Sequence, residues 1–243
     1  MMKDRILRLL FPPKCEGCLQ PLDWYTCERD TVLCQACLAR LESERALTCD
    51  VCAGRMDQCS CMPPLISRAG AKGFYKLVKY YPNRTDYVQN RLLYTMKKQR
   101  APRVHTFLAR RLASALQPYQ QMSEQKSLLI TYLPRDRRTE RKYGTDQARM
   151  LALALSKESG IPIKQLLSRS RGRREVQKKL SRKARISNAQ RLFVLSEETD
   201  LRDTVVILVD DLVTTGASMA AGIRELKKAG AKHFVCIAVA SDV

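Results

Sequence analysis

The sequence predicts an α/β fold: a mostly parallel sheet with helices on both faces, preceded by a small cysteine-rich module. Three observations carry this. From Gly73 onward, strand-like and helix-like segments alternate. Eight of the ten cysteines fall into close pairs in the first quarter of the chain. The strongest strand, Thr204 to Val209, runs into an acidic pair and a turn of small residues.

The first eleven residues, Met1 to Phe11, are too short and too charged for a secretory segment and read as a short amphipathic helix. No stretch approaches the ~18 apolar residues of a membrane span, so a cytoplasmic protein is expected. In a reducing compartment, cysteines do not build a disulfide framework. The pairs Cys15/Cys18, Cys34/Cys37, Cys49/Cys52 and Cys59/Cys61 instead have metal-ligand spacing. Zinc takes four thiolates in a tetrahedron, and each knuckle offers two. Cys15, Cys18, Cys34 and Cys37 make one site. Cys49, Cys52, Cys59 and Cys61 make a second, its last pair tightened to C-x-C. One or two structural zinc ions are expected, with a redox Cys-x-x-Cys and an iron–sulfur cluster as the competing readings. Cys27 reads as a spare thiol and Cys236 as core. Residues 12–65 read as metal-stapled loops and short hairpins, closed like a hinge by Pro63-Pro64. The expected domains are a front module over 1–65 and a main domain over 66–243.

In the main domain, Gly73–Tyr81 alternates as a strand. Asp86 to Lys98 and Arg103 to Leu116 place apolar residues at helical spacing. Leu128–Leu133 is a short apolar strand stopped by Pro134. Asp146 to Ser159 is helical, stopped by Gly160 and Pro162. Ile163–Leu167 reads as a further strand, Ala217 to Ala229 as a helix closed by Gly230, and His233–Ala240 as a last strand.

The segment 206–218 holds most of the chemistry. Four apolar residues lead to Asp210 and Asp211 at the strand's carboxyl edge, where open α/β sheets bind ligands. Thr214, Thr215, Gly216, Ala217 and Ser218 follow and enter a helix. A small turn lets backbone N–H groups approach a phosphate, and the helix dipole adds positive potential. Carboxylates repel phosphate, but they accept hydrogen bonds from vicinal hydroxyls, or hold Mg²⁺ with them. A sugar with a phosphate at one end and ring hydroxyls fits both halves. A plain capped turn does not call for two adjacent carboxylates. Gly-Lys-Ser/Thr and Gly-x-Gly-x-x-Gly are both absent, which excludes the common nucleotide loops.

Val206-Ile-Leu-Val-Asp-Asp-Leu-Val-Thr-Thr-Gly-Ala-Ser218 resembles, at every position, the phosphoribosyl pyrophosphate (PRPP) signature of type I phosphoribosyltransferases. The resemblance implies that Asp210 and Asp211 contact ribose hydroxyls, that 214–218 hold the 5′-phosphate, and that Mg²⁺ accompanies PRPP. Pro134, Gly144-Thr-Asp-Gln-Ala148, Gln177, Leu180, Arg185, Asn188 and Phe193, with the cysteine pairs in front, resemble the ComF family of competence proteins. The chain departs from that family at Tyr132, where Pro-x-Pro is usual, and at Tyr143-Gly-Thr-Asp-Gln147, where Arg-Gly-Phe-Asn-Gln is usual. ComF resemblance implies a type I phosphoribosyltransferase-like sheet behind a double zinc ribbon. It also implies a role in natural transformation, with single-stranded DNA and a competence helicase-like ATPase as partners.

Lysine and arginine number 44 against 24 acidic residues, a net charge of +20 that favours polyanionic partners. Arg169, Arg171, Arg173 and Arg174 open a dense basic run to Arg185, and Arg135 and Arg138 follow the strand ending at Leu133. Three readings stay open for these cations: a solvated surface, a loop closing over pyrophosphate, or a track for a nucleic-acid backbone. Tyr143, beside the second cluster, and Trp24, Tyr25, Tyr80 and Tyr81 elsewhere are candidate stacking aromatics with packing as the plainer reading. His105 and His233 share no ligand spacing and read as non-catalytic, and no catalytic residue is assigned.

Overall fold

The computed structural model describes residues 11–22, 31–98, 101–121, 126–136, 140–141, 144–170 and 192–242. Outside these lie the expected first helix before Phe11, Trp24, Tyr25, Cys27, Arg138, Tyr143, and the basic run with Arg171, Arg173, Arg174, Gln177, Leu180, Arg185 and Asn188.

Four strands form the main sheet: β1 (Gly73–Lys79), β2 (Ser127–Tyr132), β5 (Thr204–Val213) and β6 (His233–Ser241). All pair in parallel, in the order β1-β6-β5-β2. A parallel sheet is covered on both faces, so its central strands read as unbroken apolar runs. Val206 to Val209 and Phe234 to Ala240 are such runs, and all are buried. Alternate residues serve opposite faces. Ile207, Val209, Val235 and Ile237 join one core, while Val206, Leu208, Phe234 and Cys236 join the other.

The first core is covered by helices α3 (Val88–Lys98), α4 (Pro102–Ala113) and α6 (Gln147–Ser159), with the short α5 (Gln117–Gln121) between the last two in the chain. Their buried residues, such as Leu92, Met96, Leu108, Leu112, Leu151 and Leu155, follow the predicted helical spacing. The opposite core is covered by α2 (Pro64–Ala69) and α7 (Ala217–Leu226), with a small antiparallel pair of β3 (Leu167–Arg169) and β4 (Phe193–Leu195). Helix ends follow local chemistry. Asp146 caps α6 by accepting from the Arg149 N–H, and Gly160 ends it at φ 73°.

Several expectations change in detail. Helix α1 (Gln35–Ala46) occupies a stretch read as loops and hairpins. Pro63-Pro64, expected as a hinge, opens α2, where proline's fixed φ suits the first turn. The strand expected at Ile163–Leu167 reduces to a single bridge from Ile163 to Ile130, and the true strand is displaced to Leu167–Arg169. The front end packs into the body. Leu33, Cys37 and Leu41 belong to the same core as α3 and α4, and Thr95 Oγ1 donates to Glu16 at 3.1 Å.

Candidate functional site

Strand β5 carries the acidic pair. It continues through Val213 because β6 keeps pairing alongside it, with Asp210 beside Ala238 and Val213 beside Ser241. The pair is therefore held on rigid backbone inside the strand rather than just past it. Both carboxylates are half-buried. Asp210 Oδ1 accepts from the Asp211 N–H at 2.9 Å, and Asp211 Oδ1 accepts from the Leu212 N–H at 2.9 Å. Burial drives the Asp210 carboxyl well above the usual range, and the adjacent Asp211 charge adds to this. A site in that state favours a cation or hydroxyl donors.

Thr214 and Thr215 are exposed at the turn, and Gly216 takes φ 76°. Gly216 receives α7 without a side-chain cap, so the helix start presents backbone N–H groups. Thr215 Oγ1 approaches the Ala217 N–H at 3.4 Å. The glycine is required for two reasons. The left-handed conformation disfavours a side chain. A Cβ there would also stand 2.6 Å from Ile66 Cγ1 and 3.1 Å from Pro63 Cβ.

The Gly144-Thr-Asp-Gln-Ala148 element closes the other side. Asp146 Oδ2 accepts from the Arg135 N–H at 2.8 Å, while Oδ1 accepts from Arg149 N–H at 3.2 Å. Burial raises the Asp146 carboxyl despite these two bonds, and its charge is felt at Asp210. The Arg135 side chain donates to Gln147. Arg169 Nε donates to Pro134 O at 3.0 Å, and its guanidinium lies 4.7 Å over the Phe193 ring. The fold thus brings Arg135, Arg169 and the Pro134 turn to the edge where the acidic pair sits.

The acidic pair, the turn at 214–218, Asp146 and Arg169 fall within a stretch recognised as a family, while Pro134 and Arg135 precede it: the phosphoribosyl transferase domain model matches residues 145–242. The C-terminal part of this chain is a phosphoribosyltransferase domain. Two solved structures are similar to the chain. The purine phosphoribosyltransferase from Pyrococcus horikoshii Ot3 is 20% identical, with a TM-score of 0.34, over 56% of this chain and 80% of that one. The adenine phosphoribosyltransferase from Leishmania tarentolae is 14% identical, with a TM-score of 0.33, over 58% and 72%. No curated protein matches. No helix among the described residues is long and apolar enough to cross a membrane.

Two residues near the phosphoribosyltransferase acidic pair carry no local sequence signal. Lys97, at the end of α3, places Nζ 3.8 Å from Asp211 Oδ2. His105 of α4 is buried, with Nδ1 donating to Ala101 O at 2.8 Å. Burial lowers its pKa, against the opposing pull of Ala101 O and the Asp211 charge.

In front of the phosphoribosyltransferase domain, the cysteines gather as two groups of four. Cys15, Cys18, Cys34 and Cys37 form one, and Cys49, Cys52, Cys59 and Cys61 the other, each with its sulfurs within 4.8 Å of one another. Four sulfurs ~2.3 Å from one zinc stand about 3.8 Å apart. Cys18 and Cys34 are 3.8 Å apart, as are Cys52 and Cys59. The groups are compatible with two zinc ions. Backbone amides support thiolates in both. Burial raises Cys15, but the N–H groups of Cys34, Cys18 and Gly17 outweigh it and bring the thiol to about 7. The Cys52 N–H brings Cys49 to about 6, against burial. Gly17 is confined by the first group, because a Cβ there would lie 2.8 Å from Cys37 Sγ.

Proposed function

We propose that this protein binds PRPP with Mg²⁺ at residues 206–218 and serves DNA uptake in natural transformation as a ComF-like factor. It would handle single-stranded DNA on the cytoplasmic side. The observation that carries the PRPP reading is the half-buried Asp210–Asp211 pair, one short turn from an uncapped helix start. The two ends suit the two ends of a ribose 5-phosphate. Asp210 and Asp211 would hold the ribose hydroxyls or the cation, and Thr214 to Ser218 the 5′-phosphate. Mg²⁺ supplies positive charge to the pyrophosphate oxygens when bound. The nucleic-acid part rests on the +20 charge and the ComF resemblance. The 1–65 module would hold structural zinc and dock on a competence helicase-like ATPase, and 66–243 would carry the ligand site.

The Pro134–Arg135 turn favours a second reading, a working phosphoribosyltransferase. This turn, fixed by Asp146 and Arg169, offers a place for pyrophosphate beside the acidic pair. In that reaction the bond from the ribose anomeric carbon to pyrophosphate breaks, pyrophosphate leaves with the electron pair, and a nitrogen nucleophile forms the new bond and loses a proton.

Thermal melting tests the first reading. PRPP with Mg²⁺ at a hundredfold excess over Kd should stabilise by about 2.7 kcal/mol, a rise of roughly 5–10 °C for a chain of this size. Asp210→Asn with Asp211→Asn should abolish the rise. No rise in the unaltered protein refutes the PRPP assignment. Single-stranded DNA binding should weaken steeply with salt, and neutralising Arg169, Arg171, Arg173 and Arg174 should flatten the slope by ~0.7 per lost phosphate contact. Pyrophosphate release during a screen of nitrogen nucleophiles would decide for the transferase.

A further inference from the structure

Lys76 lies in the middle of β1 and is 4% exposed. Its ammonium has no hydrogen-bond partner among the described residues. An ammonium withdrawn from water without a compensating charge is costly, and a methionine of similar length would fill the same space without that cost. The surroundings supply a reason for the charge. β1 packs against the short 3₁₀ turn Met56–Gln58, which leads directly into Cys59.

Four thiolates around one Zn²⁺ carry a net charge of −2. Such a centre, half sunk in protein, needs positive charge and hydrogen-bond donors around its sulfurs. At the second group the Cys61 N–H reaches Cys59 Sγ at 3.4 Å, which supplies a dipole but no net charge. The buried ammonium and the anionic centre each lack what the other provides.

We propose that Lys76 is the counter-charge of the second tetrathiolate site, so that a strand of the main sheet completes a metal centre otherwise built from the cysteine-rich front end. The assignment rests on reading Cys49, Cys52, Cys59 and Cys61 as a zinc site. Lys76 acts through the thiolates as a positioning residue and binds no metal itself. Its three N–H donors suit sulfur acceptors, and its place in the sheet ties metal loading to the seating of β1.

The test uses the full-length zinc-loaded protein and the Lys76→Met variant, with zinc release to a chromogenic chelator and melting temperature as readouts. Lys76→Met is expected to release one of its two zinc ions about 10–100-fold faster than the unaltered protein. It should also melt lower when loaded, yet higher once the labile zinc has been stripped from both proteins. That reversal of sign separates a charge partner from simple packing. Unchanged release of both ions, or a melting shift of one sign in both zinc states, overturns the proposal. Lys76→Gln gives a second measurement if the methionine protein does not load. Fast release is expected, and retention like that of the unaltered protein overturns the assignment. Lys76→Arg keeps the charge and should hold zinc longer than either, while release as fast as Lys76→Met overturns it. A separate outcome concerns the underlying site: an unaltered protein that binds only one zinc removes the second site, whatever Lys76 does.

Discussion

Replacing Gly216 with alanine forces two separate costs on the turn between β5 and α7. The residue sits at φ 76°, where a side chain costs ~1–2 kcal/mol. The new Cβ would also meet Ile66 Cγ1 at 2.6 Å, Ile66 Cδ1 at 3.0 Å and Pro63 Cβ at 3.1 Å. Ile66 is buried, so relief requires shifting α2 or the loop, at ~1–3 kcal/mol for overpacking. The sum is about 2–5 kcal/mol. For a chain of this length that lowers the melting temperature by ~4–20 °C. Differential scanning calorimetry measures it, and repeating the melt with PRPP and Mg²⁺ asks whether the displaced loop still binds. The double variant Ile66→Ala with Gly216→Ala separates the terms. It removes the contact but keeps the backbone strain, so the two changes together should cost less than their sum. A Gly216→Ala protein melting within 1 °C or so of the original would falsify the steric argument. Strict additivity would leave backbone strain as the sole term.

Other outcomes follow from the same geometry. The Asp210 carboxyl titrates higher in the fold than in the unfolded chain, so its favourable contribution is present at low pH and lost as pH rises through the folded value. Asp210→Asn should therefore raise the melting temperature of the ligand-free protein near pH 8, with the gain shrinking as pH falls; a lower melting temperature at pH 8 contradicts this. Gly17→Ala drives a methyl group into Cys37 Sγ and should reduce bound zinc from two ions to one by elemental analysis. Arg169→Ala removes both the bond to Pro134 O and the stacking on Phe193, and should cost about 1–3 kcal/mol in urea unfolding. A change within ~0.5 kcal/mol, ordinary for a surface residue, would refute its buttressing role.

The acidic loop was legible because its chemistry is contiguous. Strand, carboxylates, turn and helix follow one another over 206–218, and each has a local physical signature. The sheet was legible for a similar reason: Val206–Val209 and Phe234–Ala240 are apolar throughout, as strands buried on both faces must be. Helix α1 was not. Only Cys37 and Leu41 are buried in it, and Cys34 precedes it with no side-chain cap bond. Its start is set by the cysteine cluster rather than by capping chemistry. The end of β5 was also hidden, since its last residues are strand only because Leu212 and Val213 find Ala240 and Ser241. Lys97 near Asp211, and Ile66 against Gly216, join residues more than a hundred positions apart. No local pattern encodes such contacts.

The strand order has a consequence for how the chain assembles. β5 and β6 occupy the two inner places of the sheet, yet both follow β1 and β2 by many residues. During synthesis, β1 and β2 emerge with no strand beside them and wait for the inner pair. Each then gains its neighbour only by closing a long loop, which slows folding and leaves apolar edges open to other nascent chains. Until β6 arrives, β1 has nothing to pair with and the front end has no finished wall to rest on. Premature termination before His233 would thus remove the strand that joins β1 to the rest, leaving a sticky fragment in place of a shortened protein.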